Sequence, residues 1–181
     1  MSESKAPNLP KPVRTLFLIV IVIAPLYWLI MTEHGRLSYD QMLLSLFGKD
    51  TISLKIENLG ADITEEMFLE QFPDVDIVCE DRSTEFGDRL CQASLGAFNE
   101  LPSQHMSLFF SNNSLQALKV VYQLAYHDLA VEKMEIQVKA EGQPLDFSSE
   151  MIQWRTPAGV VLLNRIVPKR HEDAAIMWIA K

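Results

Sequence analysis

HMSLFFSNNSLQALKVVY, residues 105–122, is the stretch on which the fold turns. Two apolar runs flank Ser111-Asn112-Asn113-Ser114, and paired asparagines tolerate the left-handed conformation that tight hairpin turns demand. That reading makes two strands. Leu115, Leu118, Val121, Tyr122, Ala125, Leu129 and Val131 also fall on a 3.6-residue stripe, so a helix opening at Ser114 is the competing reading. The paired asparagines favour the hairpin.

Working downstream, Gln123 to Ala140 holds good helix formers and no Gly or Pro, and Gly142 followed by Pro144 supplies a stop, which predicts a helix. Three strands follow: MIQWRT, GVVLLNRIV after the turn Pro157-Ala158-Gly159, and AAIMWIA. The near-continuous apolar character of the last predicts burial on both faces. Upstream, Ile52, Leu54 and Ile56 alternate with Ser53, Lys55 and Glu57, the period of a half-buried strand. Asp62, with Glu65 at capping spacing, opens a helix that runs to Gln71 and stops at Phe72-Pro73. VDIVCED and RLCQASL then read as strands, the second reaching Phe98.

Taken together, helix 62–71 plus a meander and helix 123–140 plus a second meander form a rough double pattern without a residue-level repeat. The fold class is α+β, an antiparallel sheet with helices packed on one face. In order of elements, residues 50–181 resemble the helix-plus-meander units of small envelope proteins such as the outer-membrane assembly lipoprotein of the SmpA type. No motif carries that likeness and the chain lacks a lipidation cysteine at its anchor, so the resemblance implies no function.

The whole chain, 181 residues with 48% apolar content and a formal charge of −8, suits one anchor and one modest domain. Its apolar content is concentrated in Thr15-Leu16-Phe17 through Met31, TLFLIVIVIAPLYWLIM, which has no charge and only Thr15 and Pro25 outside the apolar set. Seventeen residues reach about 25 Å, and Val13 and Thr32 bring the run close to a hydrocarbon core of about 30 Å. A transmembrane helix over 15–32 is expected. Pro25 kinks such a helix rather than ending it, and Tyr27 and Trp28 suit the headgroup level. Val22-Ile23-Ala24 offers a signal-peptidase site in principle, but Pro25 follows that bond directly and the apolar run continues beyond it.

Lys5, Lys11 and Arg14 precede the span against a single Glu3, so the positive-inside rule places the N-terminus in the cytoplasm of a cell whose inner membrane carries the anchor. Residues 1–14, with Pro7, Pro10 and Pro12, read as a disordered tail. Residues 33–49 form a membrane-proximal segment with a short helix at about Tyr39 to Phe47, and 50–181 form the extracytoplasmic domain. From residue 37 on, once Glu3, Glu33, Lys5, Lys11, Arg14 and Arg36 are set aside, 22 Asp and Glu face 12 Lys and Arg, a net of −10. With Lys169-Arg170 the only basic cluster, nucleic acid is not an expected partner.

Cys79 and Cys91 flank the polar loop EDRSTEFGDRL. If their strands pair antiparallel the two can face each other, and outside the cytoplasm a disulfide is the expected state. The spacing is not C-x-x-C, and two cysteines alone make no zinc site. Other candidates yield to plainer readings. His127 and Asp128 are adjacent on a helix and point about 100° apart. His171-Glu172-Asp173 reads as a polar turn. Asp74, Asp76 and Glu80 fall on the solvent side of a strand while Val75, Ile77 and either Cys79 or Val78 turn inward, and Asp81 completes no calcium loop. No catalytic, metal or cofactor residues are assigned. The expectation is a non-enzymatic adaptor or envelope scaffold that touches the bilayer through its anchor and another envelope protein through its domain. The alternative is a small-ligand-binding or hydrolase-like domain using His105 or His127 in a pocket between sheet and helices.

Overall fold

The computed structural model describes residues 11–32, 50–139, 144–147, 151–169 and 173–181. The expected helix at 39–47, tail residues 1–10 with Lys5, the helix stop at Gly142, and His171 and Glu172 lie outside these. The described residues fall into two units, an N-terminal helix and a sheet domain.

Helix α1, Lys11–Met31, continues through Pro25. Its 21 residues extend about 31 Å at 1.5 Å each, but its first turn is spent on Lys11, Pro12 and Arg14. Among the described residues, no helix is long and apolar enough to cross a membrane.

The domain is α+β, with few helices and one large mixed sheet. Its elements are β1 (Thr51–Ile52), a 3-10 turn (Ile56–Asn58), α2 (Glu65–Gln71), β2 (Ile77–Thr84), β3 (Gly87–Ser94), β4 (Ala97–Phe98), β5 (Leu101–Ser111) and β6 (Ser114–Tyr122). A second 3-10 turn (Leu124–Tyr126), α3 (His127–Lys139), β7 (Pro144–Phe147), β8 (Met151–Arg155), β9 (Gly159–Asn164) and β10 (Ala175–Ala180) complete it. The long antiparallel path runs β2-β3-β5-β6-β10-β9-β8-β7. A side branch, β4 on the start of β5 and β1 parallel to β4, makes the sheet mixed rather than purely antiparallel.

Residues 105–122 form the hairpin and not the helix: β5 and β6 pair across Asn112 and Asn113, whose φ angles are 51° and 60°. The turn also fastens α2. Ser114 donates to the Ala61 carbonyl, Leu115 N donates to Ile63 O at 3.0 Å, and Glu65 N donates to Asn113 Oδ1 at 3.4 Å.

Side-chain alternation divides the sheet into two faces. Cys91, Leu108, Leu118, Trp178, Val161 and Trp154 lie side by side in register, each at most 4% exposed. Two residues along, Met106, Val120, Ile176 and Leu163 repeat the pattern, and Phe68 of α2 with Ala130 and Met134 of α3 close the same core. Both helices therefore cover one face. The opposite face carries Gln92, Lys119, Met177 and Leu162, which keep contact with solvent.

Several expectations need correction. ISLKIENL buries Ile52, Leu54 and Ile56 as its alternation predicts, but only Thr51–Ile52 pairs as a strand. Beyond it the Asn99 side chain replaces a ladder partner, accepting from Leu54 N and donating to Leu54 O at 2.7 Å each. Helix α2 starts at Glu65 because Thr64, not Asp62, caps it, its hydroxyl accepting from Met67 N. The second cysteine strand ends at Ser94; Phe98 belongs to β4, beyond a break at Leu95 and Gly96. Helix 123–140 opens as a 3-10 turn and becomes α-helical only at His127. Strand β7 was not expected, since Pro144 reads as a helix stop. Strand β10 buries Ile176 and Trp178, while Met177 and Ile179 on the other face stay half-buried, so it is not buried on both faces.

Gly159 begins β9 directly beneath Trp178. A Cβ there would lie 2.4 Å from the Ile179 carbonyl oxygen and 2.6 Å from the Trp178 ring. That ring is fully buried and its Nε1 donates to Thr156 Oγ1 at 3.2 Å, so it has little room to yield. Gly159→Ala is expected to destabilise the domain by about 1–3 kcal/mol, read as a lower urea midpoint with an unchanged m-value. An unchanged midpoint would contradict the packing described.

Candidate functional site

The chemistry-bearing side chains of the domain gather around the β2–β3 hairpin. The sequence forms it because Gly87 makes the reversal after Thr84, whose hydroxyl accepts from Phe86 N and donates to Gly87 O. In the resulting register Cys79 stands opposite Cys91, and the two form a disulfide with Cα atoms 3.9 Å apart. The expected linkage is present. Cys79 turns to the core face and Val78 to solvent, at 63% exposure, which decides between the two inward candidates.

Arg89, two residues before Cys91, joins the hairpin to α2. Its Nε and Nη2 donate to Glu65 Oε2 and Oε1, both at 2.9 Å, and its Nη1 donates to Asp81 Oδ1 at 2.9 Å. Hydrogen bonds to these carboxylates, Glu65 first, hold the guanidinium further from deprotonation than usual. A bidentate fork fixes orientation as well as charge. Glu65 also lies close to the sulfurs: one of its oxygens and Sγ of Cys79 and Cys91 are all within 4.8 Å of one another. That cluster does not fit a metal in this form, because the sulfurs are bonded to each other and the carboxylate is engaged by Arg89.

At one end of the hairpin is an open groove of about 690 Å³, lined by Asp50, Asp76, Val78, Gln92, Ser94 and His105 among others. Asp76 N donates to Asp50 Oδ2 at 3.4 Å, and Gln92 Nε2 donates to Ser107 Oγ at 3.2 Å. No ion pair among the described residues engages Asp50, Asp74 or Asp76. Asp74, Asp76 and Glu80 are exposed, as the alternation predicts. No hydrogen bond among the described residues joins His105 to a carboxylate or hydroxyl, and the charged side chains lining the groove, Asp50 and Asp76, are acidic.

The remaining candidates lie apart. His127, 3% exposed, shares a 2.8 Å hydrogen bond between its Nδ1 and the Tyr122 hydroxyl, and its Nε2 is buried without a partner among the described residues. Burial also raises the Tyr122 pKa. Asp128 is exposed and forms no dyad with His127. Asp173 accepts from Lys119 Nζ at 2.7 Å, which holds its carboxyl below the usual range, with a smaller contribution from His105.

Sequence reasoning missed Arg89 and the second role of Glu65. Arg89 stands where a loop polar but for Phe86 and Leu90 meets the strand RLCQASL, and Glu65 matched a capping pattern that concealed its reach toward the hairpin. The available signal was weak: alternation places Arg89 and Cys91 on the same face. Comparison of the chain with protein families, with curated proteins and with solved structures finds no match in any of the three.

Closing the loop between residues 79 and 91 stabilises the fold by about 2–3 kcal/mol in the chain-entropy model. Mass mapping without reduction should recover the Cys79–Cys91 peptide pair, and the double variant Cys79→Ser, Cys91→Ser should lose that stability while keeping its fold. Free thiols in protein isolated under oxidising conditions would refute the linkage.

Proposed function

We propose that this chain is a single-pass, inner-membrane-anchored protein whose sheet domain lies outside the cytoplasm and binds another envelope protein as an adaptor or assembly scaffold. The observation that carries the reading is in α1, where seven consecutive large apolar side chains, Phe17 to Ile23, stay 47–63% exposed. A helix apolar on all sides requires an apolar surrounding. Its charge-free run is short for a bilayer, a mismatch that local thinning and the flanking Val13 and Thr32 accommodate. Lys5, Lys11 and Arg14 favour a cytoplasmic N-terminus, and the Cys79–Cys91 disulfide suits an oxidising compartment.

The binding role rests on the rest of the domain. Several of its described charged side chains are tied into structural pairs, Arg89–Glu65, Lys119–Asp173 and Lys133–Glu100, and a tether raises the effective concentration of a binding surface toward membrane neighbours. The ligand-binding or hydrolase alternative requires a pocket between sheet and helices. His105 lines a groove on the other face, and His127 is closed off by Tyr122, so no described cavity supports that alternative.

A periplasmic reporter fused after residue 40 should be active and the same fusion to a cytoplasmic reporter silent; the reverse pattern would overturn the topology. Affinity purification in mild detergent at native expression should return a stoichiometric companion. A lone monomer would overturn the adaptor role.

A further inference from the structure

We infer that the free edge of β2 is a docking site for an extended, basic segment of a partner protein, which adds to the sheet as a further strand beside Ile77–Asp81. The inference deepens the adaptor reading and rests on it for the existence of a partner.

Three observations converge. The first is the edge itself: among the described residues β2 pairs with β3 alone. The second fixes which backbone groups it offers. Antiparallel pairs alternate between hydrogen-bonded positions, with Cα atoms about 5.5 Å apart, and non-hydrogen-bonded positions at about 4.5 Å. At 3.9 Å, Cys79 and Cys91 are a non-hydrogen-bonded pair. Val78 and Glu80 therefore bond to β3, while the N–H and C=O groups of Ile77, Cys79 and Asp81 point to the open edge. No described hydrogen bond uses those groups. The regular register ends after Asp81 in a bulge, which bounds the docking length and keeps the remainder of the edge from pairing.

The third observation names the occupant. Beside this edge the outer face presents Asp76, the 63% exposed Val78 and Glu80, with Asp50 across the groove. Asp50, Asp74 and Asp76 have no ion-pair partner among the described residues, whereas Asp81 is already engaged by Arg89. An incoming strand is thus matched by lysine or arginine near Asp76 and an apolar side chain beside Val78. Backbone pairing supplies the affinity and side chains the choice of partner, as in other strand additions. The disulfide holds the receiving strand to β3, so tension on the docked segment is carried into the sheet rather than peeling its edge.

The test uses the full chain in non-ionic detergent and a fluorescent octapeptide alternating valine and lysine. Because strand N–H groups alternate sides, only one of two peptides, N-methylated at odd or at even residues, should lose affinity, by about tenfold or more. Unmethylated peptide should slow amide exchange at Ile77, Cys79 and Asp81, and Asp76→Lys, a change at an exposed side chain, should weaken binding about tenfold at low salt. Equal binding of both methylated peptides, or unchanged exchange at those three amides, would overturn the site. If a native companion is captured equally well by Asp76→Lys and its contact with the domain leaves the three amides unprotected, the edge site fails while the adaptor reading stands. If the peptide shows the alternating signature and no companion is captured, the edge site stands and the adaptor reading fails.

Discussion

Everything in the sheet domain depends on the pairing of β6 with β10. The first run of strands, β2-β3-β5-β6, is built from sequence neighbours apart from the short branch β4, the second, β7-β8-β9-β10, from sequence neighbours throughout, and among the described strands only this pairing makes them one sheet. Leu118 stands opposite Trp178 and Val120 opposite Ile176, so the join lies at the centre of the core. Helix α3 must cross between the two runs for their final strands to meet. Its residues Ala130 and Met134 pack into the same core.

How far the fold could be read from the chain follows from where local and distant forces agree. At Asn112-Asn113 turn chemistry and apolar pattern both ask for a hairpin, and the helical stripe beginning at Leu115 loses because Leu118 and Val121 each gain two strand neighbours. Alternation likewise anticipated the burial of Ile52, Leu54 and Ile56. It did not anticipate that the pairing there would come from the Asn99 side chain, a partner forty-five residues away. Strand β7 escaped because Pro144 is equally good grammar for ending a helix and for an edge position.

The site was legible only in part, for the same reason. Cysteine spacing and flanking alternation suffice to bring Cys79 to Cys91, since both lie in one hairpin. The Arg89–Glu65 fork joins residues twenty-four apart through the docking of α2 on the sheet, and nothing periodic records it. The acidic excess was visible as a count; that Asp50 and Asp76 line one groove, with no ion-pair partner among the described residues, required the folded chain.

The placement of β10 has a consequence for biogenesis. This strand is the last of the described elements to leave the ribosome, yet it occupies the middle of the sheet rather than an edge. The earlier strands can form hairpins as they emerge, but the face of β6 that receives Ile176 and Trp178 stays unfilled until residues 175–180 arrive. The core is therefore completed late in synthesis, and until residues 175–180 emerge Leu118 and Val120 stand on an apolar, unpaired edge open to chaperones.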